Sequence, residues 1–175
     1  MKKVVMDTSS LISLQLIGIL QESFKIIRVI IPKAVEKEIN EISVYKDKEG
    51  KSANKILEFV TNGVIEVIEV ANKNKVDNLL SKNIDFGEAE CFIACNEQNA
   101  DVLIMDDVDA AYSLEGLAIA NRIKIKISVA VLIELYNEKI ITKLELKSFV
   151  DSLIKIREWE GGVLEVLGRK YLEHI

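Results

Sequence analysis

The chain has 175 residues, 49% hydrophobic and 29% charged, which suits one domain with a substantial core and excludes a disordered chain. Its net charge of −5 excludes nucleic-acid binding through a global basic field, so such binding needs a local patch or metal ions. The first residues, two lysines and a short apolar run, show no signal-peptide pattern, and no apolar run reaches the roughly 18 residues of a membrane span.

The stretch "KVVMDTSSLISL" begins as a strand at 3–6, stops at one acid, Asp7, and continues through Thr8, Ser9 and Ser10 into a helical pattern over 11–21. Asp and Ser favour helix starts, so Asp7 suits a cap. A strand over 26–31 follows, then a helix over 33–42 with Pro32 well placed at its start. Residues 43–52, "SVYKDKEGKS", are the most polar stretch and are expected to form a mobile loop. Next come a helix over 53–61, a strand over 64–70 and helices over 75–82 and 86–98. The last of these carries Cys91 and Cys95, which with the single His174 cannot complete a zinc set and read as small buried residues of a reducing cytoplasm. A strand over 102–105, a helix over 110–121 and a strand over 124–127 complete the alternation. Helices over 129–138, 142–156 and 162–174 finish the chain, the second opened by a Thr142–Glu145 capping box. This order predicts an α/β fold, a mostly parallel sheet of about five strands flanked by helices, with a helical C-terminal tail. One domain over 1–175 is expected, with its core in 1–136 and the helical extension in 137–175.

Acids recur at the expected sheet edge. The strand in "ADVLIMDDVDAA" closes on Asp106 and Asp107 just as the first closes on Asp7, and parallel strands gather their carboxyl ends on one edge. Side-chain alternation sends Asp106 and Asp107 to different sides, and Asp107 or Asp109 also suits a cap for the next helix. In "IPKAVEKEINEI", Glu38 lies one turn from Ala34, Val35 and Ile42, on the inward stripe. In "DFGEAECFIACNEQ", Asp85 and Glu88 match a capping box, whereas Glu90 lies beyond it among apolar neighbours. No basic partner is evident at Asp7, Glu38, Glu90 or Asp107. Converging carboxylates repel unless a cation neutralises them, and hard oxygen ligands suit Mg²⁺ or Mn²⁺. Lys33, Lys37, Lys46, Lys48 and Lys51 are the expected local patch for RNA.

Four stretches, "MDTSSLISL", "IPKAVEKEI", "GEAECFIA" and "ADVLIMDD", resemble in order and spacing the motifs of the PIN domain family, which includes many prokaryotic toxin–antitoxin ribonucleases. The resemblance covers roughly residues 1–136 and implies that Asp7, Glu38, Glu90 and Asp107 are the catalytic, metal-binding acids. Ser9 would be the nearby hydroxyl, Asp106 would stand beside the fourth acid, and Glu88 competes with Glu90 for the third place. Two departures stand out: Glu replaces Asp at the third position, and Met105 stands where the family often has Thr or Ser. The implied protein is a cytoplasmic endoribonuclease that cuts RNA with Mg²⁺ or Mn²⁺, as the toxin of a toxin–antitoxin pair. A small antitoxin partner over helix 33–42 and a homodimer are expected with it, and no membrane contact. The alternative is a PIN-fold module that binds RNA or protein without cutting. A phosphatase with an aspartyl nucleophile usually carries a second Asp two residues after the first, and here that place is Ser9.

Overall fold

The structure, a computed structural model, describes residues 1–80 and 84–173. Five parallel strands, β1 (Lys2–Met6), β2 (Ile27–Pro32), β3 (Glu66–Ile68), β4 (Val102–Ile104) and β5 (Lys124–Lys126), form a sheet in the order β3-β2-β1-β4-β5. The chain steps outward from β1 to β3, then returns to the other side of β1 for β4 and β5. The reversal therefore lies between β1 and β4, where open parallel sheets place ligands. Met6 is in register with Ile104, and the Asp7 N–H donates to the Ile104 carbonyl at 3.1 Å. Asp7 and the Asp106–Asp107 pair thus leave adjacent strands on one edge, as expected. Val4, Val5, Met6, Leu103 and Ile104 are buried, as strands covered on both faces require.

The helices are α1 (Thr8–Leu16), α2 (Leu20–Ser23), α3 (Lys33–Ser43), α4 (Lys48–Thr61), α5 (Lys73–Leu80), α6 (Phe86–Gln98), α7 (Val108–Asn121), α8 (Val129–Asn137), α9 (Lys143–Ile156) and α10 (Val163–Glu173). Two expectations are corrected. The helix expected over 11–21 is two, because Gly18 takes φ +74°, a left-handed conformation that ends the first. The loop expected over 43–52 is mostly helix: Asp47 accepts the Gly50 N–H at 2.8 Å and caps α4, which starts at Lys48. Gly50 is required there, since a Cβ would fall 2.0 Å from the Tyr45 carbonyl oxygen. Residues 81 and 82 of the helix expected over 75–82, and His174 of the last, lie outside the described residues. Both expected capping boxes, Asp85–Glu88 and Thr142–Glu145, are formed. Cys91 and Cys95 are free and buried. Among the described residues no helix is long and apolar enough to cross a membrane.

Candidate active site

The end of β1 is held by its hydroxyl run. Asp7 caps α1, accepting the Ser10 N–H at 2.8 Å on Oδ1 and the Ser9 hydroxyl at 2.5 Å on Oδ2. Ser9 Oγ in turn accepts the Asp106 N–H at 3.0 Å, and the Ser10 hydroxyl donates to the Ile104 carbonyl at 3.0 Å. The two strand ends are therefore stitched together by side chains of "DTSS". Burial pushes the Asp7 carboxyl up to about 7, against the Ser10 and Ser9 hydrogen bonds, and the charge of Asp106 raises it further.

Glu38 comes in from α3. The Thr8 hydroxyl donates to its Oε2, and its carboxylate rests against Gly87 in the first turn of α6. A Cβ at Gly87 would fall 2.2 Å from Glu38 Oε1, so glycine is what lets α6 approach. Partial burial raises Glu38, opposed by Thr8 and reinforced by the charges of Asp85 and Glu41. Glu88, in the same turn, accepts the Asp85 N–H at 3.1 Å. Its carboxyl is pushed up to about 7, first by burial and then by the charges of Asp85 and Asp107. Asp107 caps α7 through the Ala110 N–H at 2.9 Å. Asp106 turns the other way, as alternation predicts, and its Oδ1 accepts the Ser128 N–H at 2.7 Å. Burial raises the Asp106 carboxyl, opposed by the Ser128 N–H and by the Ser13 and Ser128 hydroxyls beside it.

A family model described as a PIN domain matches residues 3–161. The chain belongs to the PIN domain family. Nothing among the curated proteins matches it. PIN domains are generally nucleases and typically use a divalent metal, so the acids at this edge can be weighed against that chemistry.

Of the four acids expected from the PIN resemblance, Asp7 and Asp107 follow the ends of β1 and β4, Glu38 meets Thr8 from α3, and Glu90, beside the start of α3, differs in having partners of its own. Its side chain, 3% exposed, accepts the Ala34 N–H at 3.2 Å and the Lys73 ammonium at 3.1 Å. Pro32 precedes α3 and offers no side-chain cap, so Glu90 supplies one from α6. This corrects the expectation that Glu90 has no basic partner. Glu88, two residues earlier, is the glutamate of α6 that senses Asp107. The contributions missed in the sequence are Asp85 as a nearby charge, Thr8 as the donor to Glu38, Gly87 as the gap and Lys73 as a counterion. Thr8 had a local signal in its place in the hydroxyl run, and Asp85 had one in its capping-box spacing to Glu88.

The residues fit a divalent cation in charge and donor type. Among the described residues no ion pair neutralises Asp7, Glu38, Glu88 or Asp107, while exposed acids such as Glu41, Glu58 and Glu69 each have a lysine. Also among the described residues, no three Asp, Glu, His or Cys side chains stand close enough to grip one ion directly.

Proposed function

We propose that the protein is a metal-dependent endoribonuclease that hydrolyses RNA phosphodiester bonds at the carboxyl edge of β1 and β4. The observation that carries this reading is that the carboxylates of Asp7, Glu38 and Glu88, buried or half-buried, have no ion-pair partner among the described residues of a PIN-family chain. Asp7, Glu38, Glu88 and Asp107 are assigned as the acids that hold Mg²⁺ or Mn²⁺, and Glu90 as the support of α3. Such an ion supplies a Lewis acid and lowers the pKa of a bound water. The chain does the positioning: Ser9 and Ser10 fix Asp7, Thr8 orients Glu38, and the Asp85 cap holds the turn that presents Glu88. The carboxylates of Asp7 and Asp107 would face the water and the reacting phosphate from adjacent strand ends.

We also propose a homodimer and a small antitoxin partner, for which exposed Val44 and Tyr45, at the end of α3, offer apolar contact. The RNA-cleavage assay in Mn²⁺, Mg²⁺ and EDTA tests the reading, with Asp7→Asn as control. Cleavage in either metal, lost in EDTA and in the variant, is expected. A second reading, a PIN-fold module that binds without cutting, draws on the absence of a closed three-ligand cluster among the described residues. RNA binding with no cleavage in either metal would favour it.

A further inference from the structure

The proposed metal site leaves the side chain of Asp106 unused, although this acid is 8% exposed and stands between β4 and Asp107. Past Ile104, where β4 ends, Asp106 is gripped from two directions. On one side its N–H donates to Ser9 Oγ at 3.0 Å, and the Ser9 hydroxyl donates in turn to Asp7. On the other its Oδ1 accepts the N–H of Ser128, just before α8, at 2.7 Å. The Ser13 and Ser128 hydroxyls lie beside the same carboxylate, and the charge of Arg157 favours its ionised form. Arg157, at the end of α9, is itself held by Glu49 of α4 at 2.5 Å. Polar groups from α1, from the β5–α8 turn and from the end of α9 thus converge on one buried acid.

We propose that Asp106 is a positioning residue for the reaction: tied to Ser128 on the far side of the strand end, it places Asp7 through Ser9 and Asp107 through the chain. The inference rests on the nuclease reading, because the acids it places are those of that reading. A residue needed only to fill this space would be apolar, since burying a carboxylate costs free energy that packing does not recover. What the carboxylate adds is a directional, charge-assisted bond, which fixes the rotation of the peptide as well as its position. Side chains alternate along the strand end, so holding Asp106 on one face sets the aim of Asp107 on the other. Such aim matters for catalysis, where a displacement of about 1 Å costs on the order of a hundredfold in rate.

The test reads the metal-free protein and the enzyme in parallel, in wild type, Asp106→Ala and Asp106→Asn. Amide hydrogen exchange in EDTA follows the Ser10 N–H, held by Asp7, and the Ala110 N–H, held by Asp107. In Asp106→Ala these two should lose about tenfold more protection than core amides such as those of Ile56 and Val150. RNA cleavage in Mn²⁺ should lose up to about a hundredfold in kcat with little change in KM. Asp106→Asn keeps an acceptor for the Ser128 N–H and should restore both. Should Asp106→Ala fail to fold, Ser128→Pro removes the donor instead, at a φ of −55° that proline adopts, and the same local loss is expected. A uniform loss of protection with kcat intact would mean that the side chain only holds the fold, and the proposal falls. An Asp106→Asn as inactive as Asp107→Asn, with both amides still protected, would make Asp106 a ligand in its own right and also overturn it. The local loss in a protein whose wild type cuts RNA in no metal would support the placement of Asp7 and Asp107 and sink the nuclease. Unchanged amides and unchanged cleavage in Asp106→Ala would sink the proposal and leave the nuclease standing.

Discussion

Glu88 and Glu90 lie two residues apart on α6 and meet opposite surroundings. Glu90 is the more buried, yet it has a lysine ammonium and a helix N–H as partners. Glu88 is only partly buried, shares its turn with Asp85 and senses Asp107. One face of α6 therefore holds a satisfied charge that ties α3 and α5 to the core. The other contributes to a set of acids that oppose one another. A buried ion pair supports a fold only while it is complete. Unpaired carboxylates cost stability until a cation arrives, which is how a binding site differs from a support.

The largest expected effect lies on the unpaired side. Asp7→Asn, Asp107→Asn and Glu88→Gln should each lower RNA cleavage by about a thousandfold, since a held cation contributes several kcal/mol to such a transition state. Glu90→Gln, assayed below its melting temperature, should keep most of the activity. An inactive but folded Glu90→Gln beside an active Glu88→Gln would reverse the comparison and return the third place to Glu90.

The next effect is on stability against pH. The Asp7 carboxyl stands near 7 in the folded chain, against 3.8 for the ordinary side chain. The folded state then holds its proton over a pH range where the unfolded state has lost it. Stability from this group is full below about pH 4 and falls as pH rises towards 7. The loss is roughly 4 kcal/mol at most. Melting in EDTA should therefore fall between pH 5 and pH 8, less so in Asp7→Asn, and Mg²⁺ or Mn²⁺ should restore it at pH 8. Equal pH curves for wild type and Asp7→Asn would remove Asp7 from the strained set.

Much of this was legible in the sequence because it is local. Apolar runs ending on acids give strand ends, alternation separates Asp106 from Asp107, and Asp85 and Glu88 mark a cap three residues apart. The family motifs point to Asp7, Glu38, Glu90 and Asp107 together, and it is the ion pair of Glu90 that they do not reveal. The partner of Glu90 was not legible, because Lys73 comes from α5 and Ala34 from α3, and only packing brings them to α6. A buried glutamate without a local partner reads the same in sequence whether it awaits a metal or a lysine. The gap at Gly87 is of the same kind, since it is occupied by a side chain 49 residues earlier. Likewise the break at Gly18 depends on one glycine inside an apolar periodic run, which periodicity alone carries through.

A smaller effect should separate the glutamates in the metal-free protein. Glu90→Gln keeps an acceptor for the Ala34 N–H but removes the charge opposite Lys73. The loss should be about 1–3 kcal/mol, at the low end because Lys73 is half-exposed and regains water. Thermal or urea unfolding in EDTA measures it. A more stable Glu90→Gln would mean that its carboxylate is strained like the others.

The smallest effect is expected for the stability of Glu88→Gln, and its size decides between two physical roles for that residue. As the third residue of a capping box, Glu88 accepts the Asp85 N–H, and glutamine serves that position as well. Loss of the cap alone would cost about 0.5–2 kcal/mol, but the amide keeps the cap. What the substitution removes is the charge facing Asp85 and Asp107, whose repulsion raises Glu88. At pH 8 in EDTA, where that charge is present, Glu88→Gln should melt at or slightly above wild type. At pH 5 both carry a neutral group there, and the difference should vanish. Addition of Mg²⁺ should then favour wild type, because only it offers the full set of acids. Should Glu88→Gln instead melt lower at both pH values, with no change in its response to Mg²⁺, Glu88 is a cap and nothing more, and the acid set loses its α6 member.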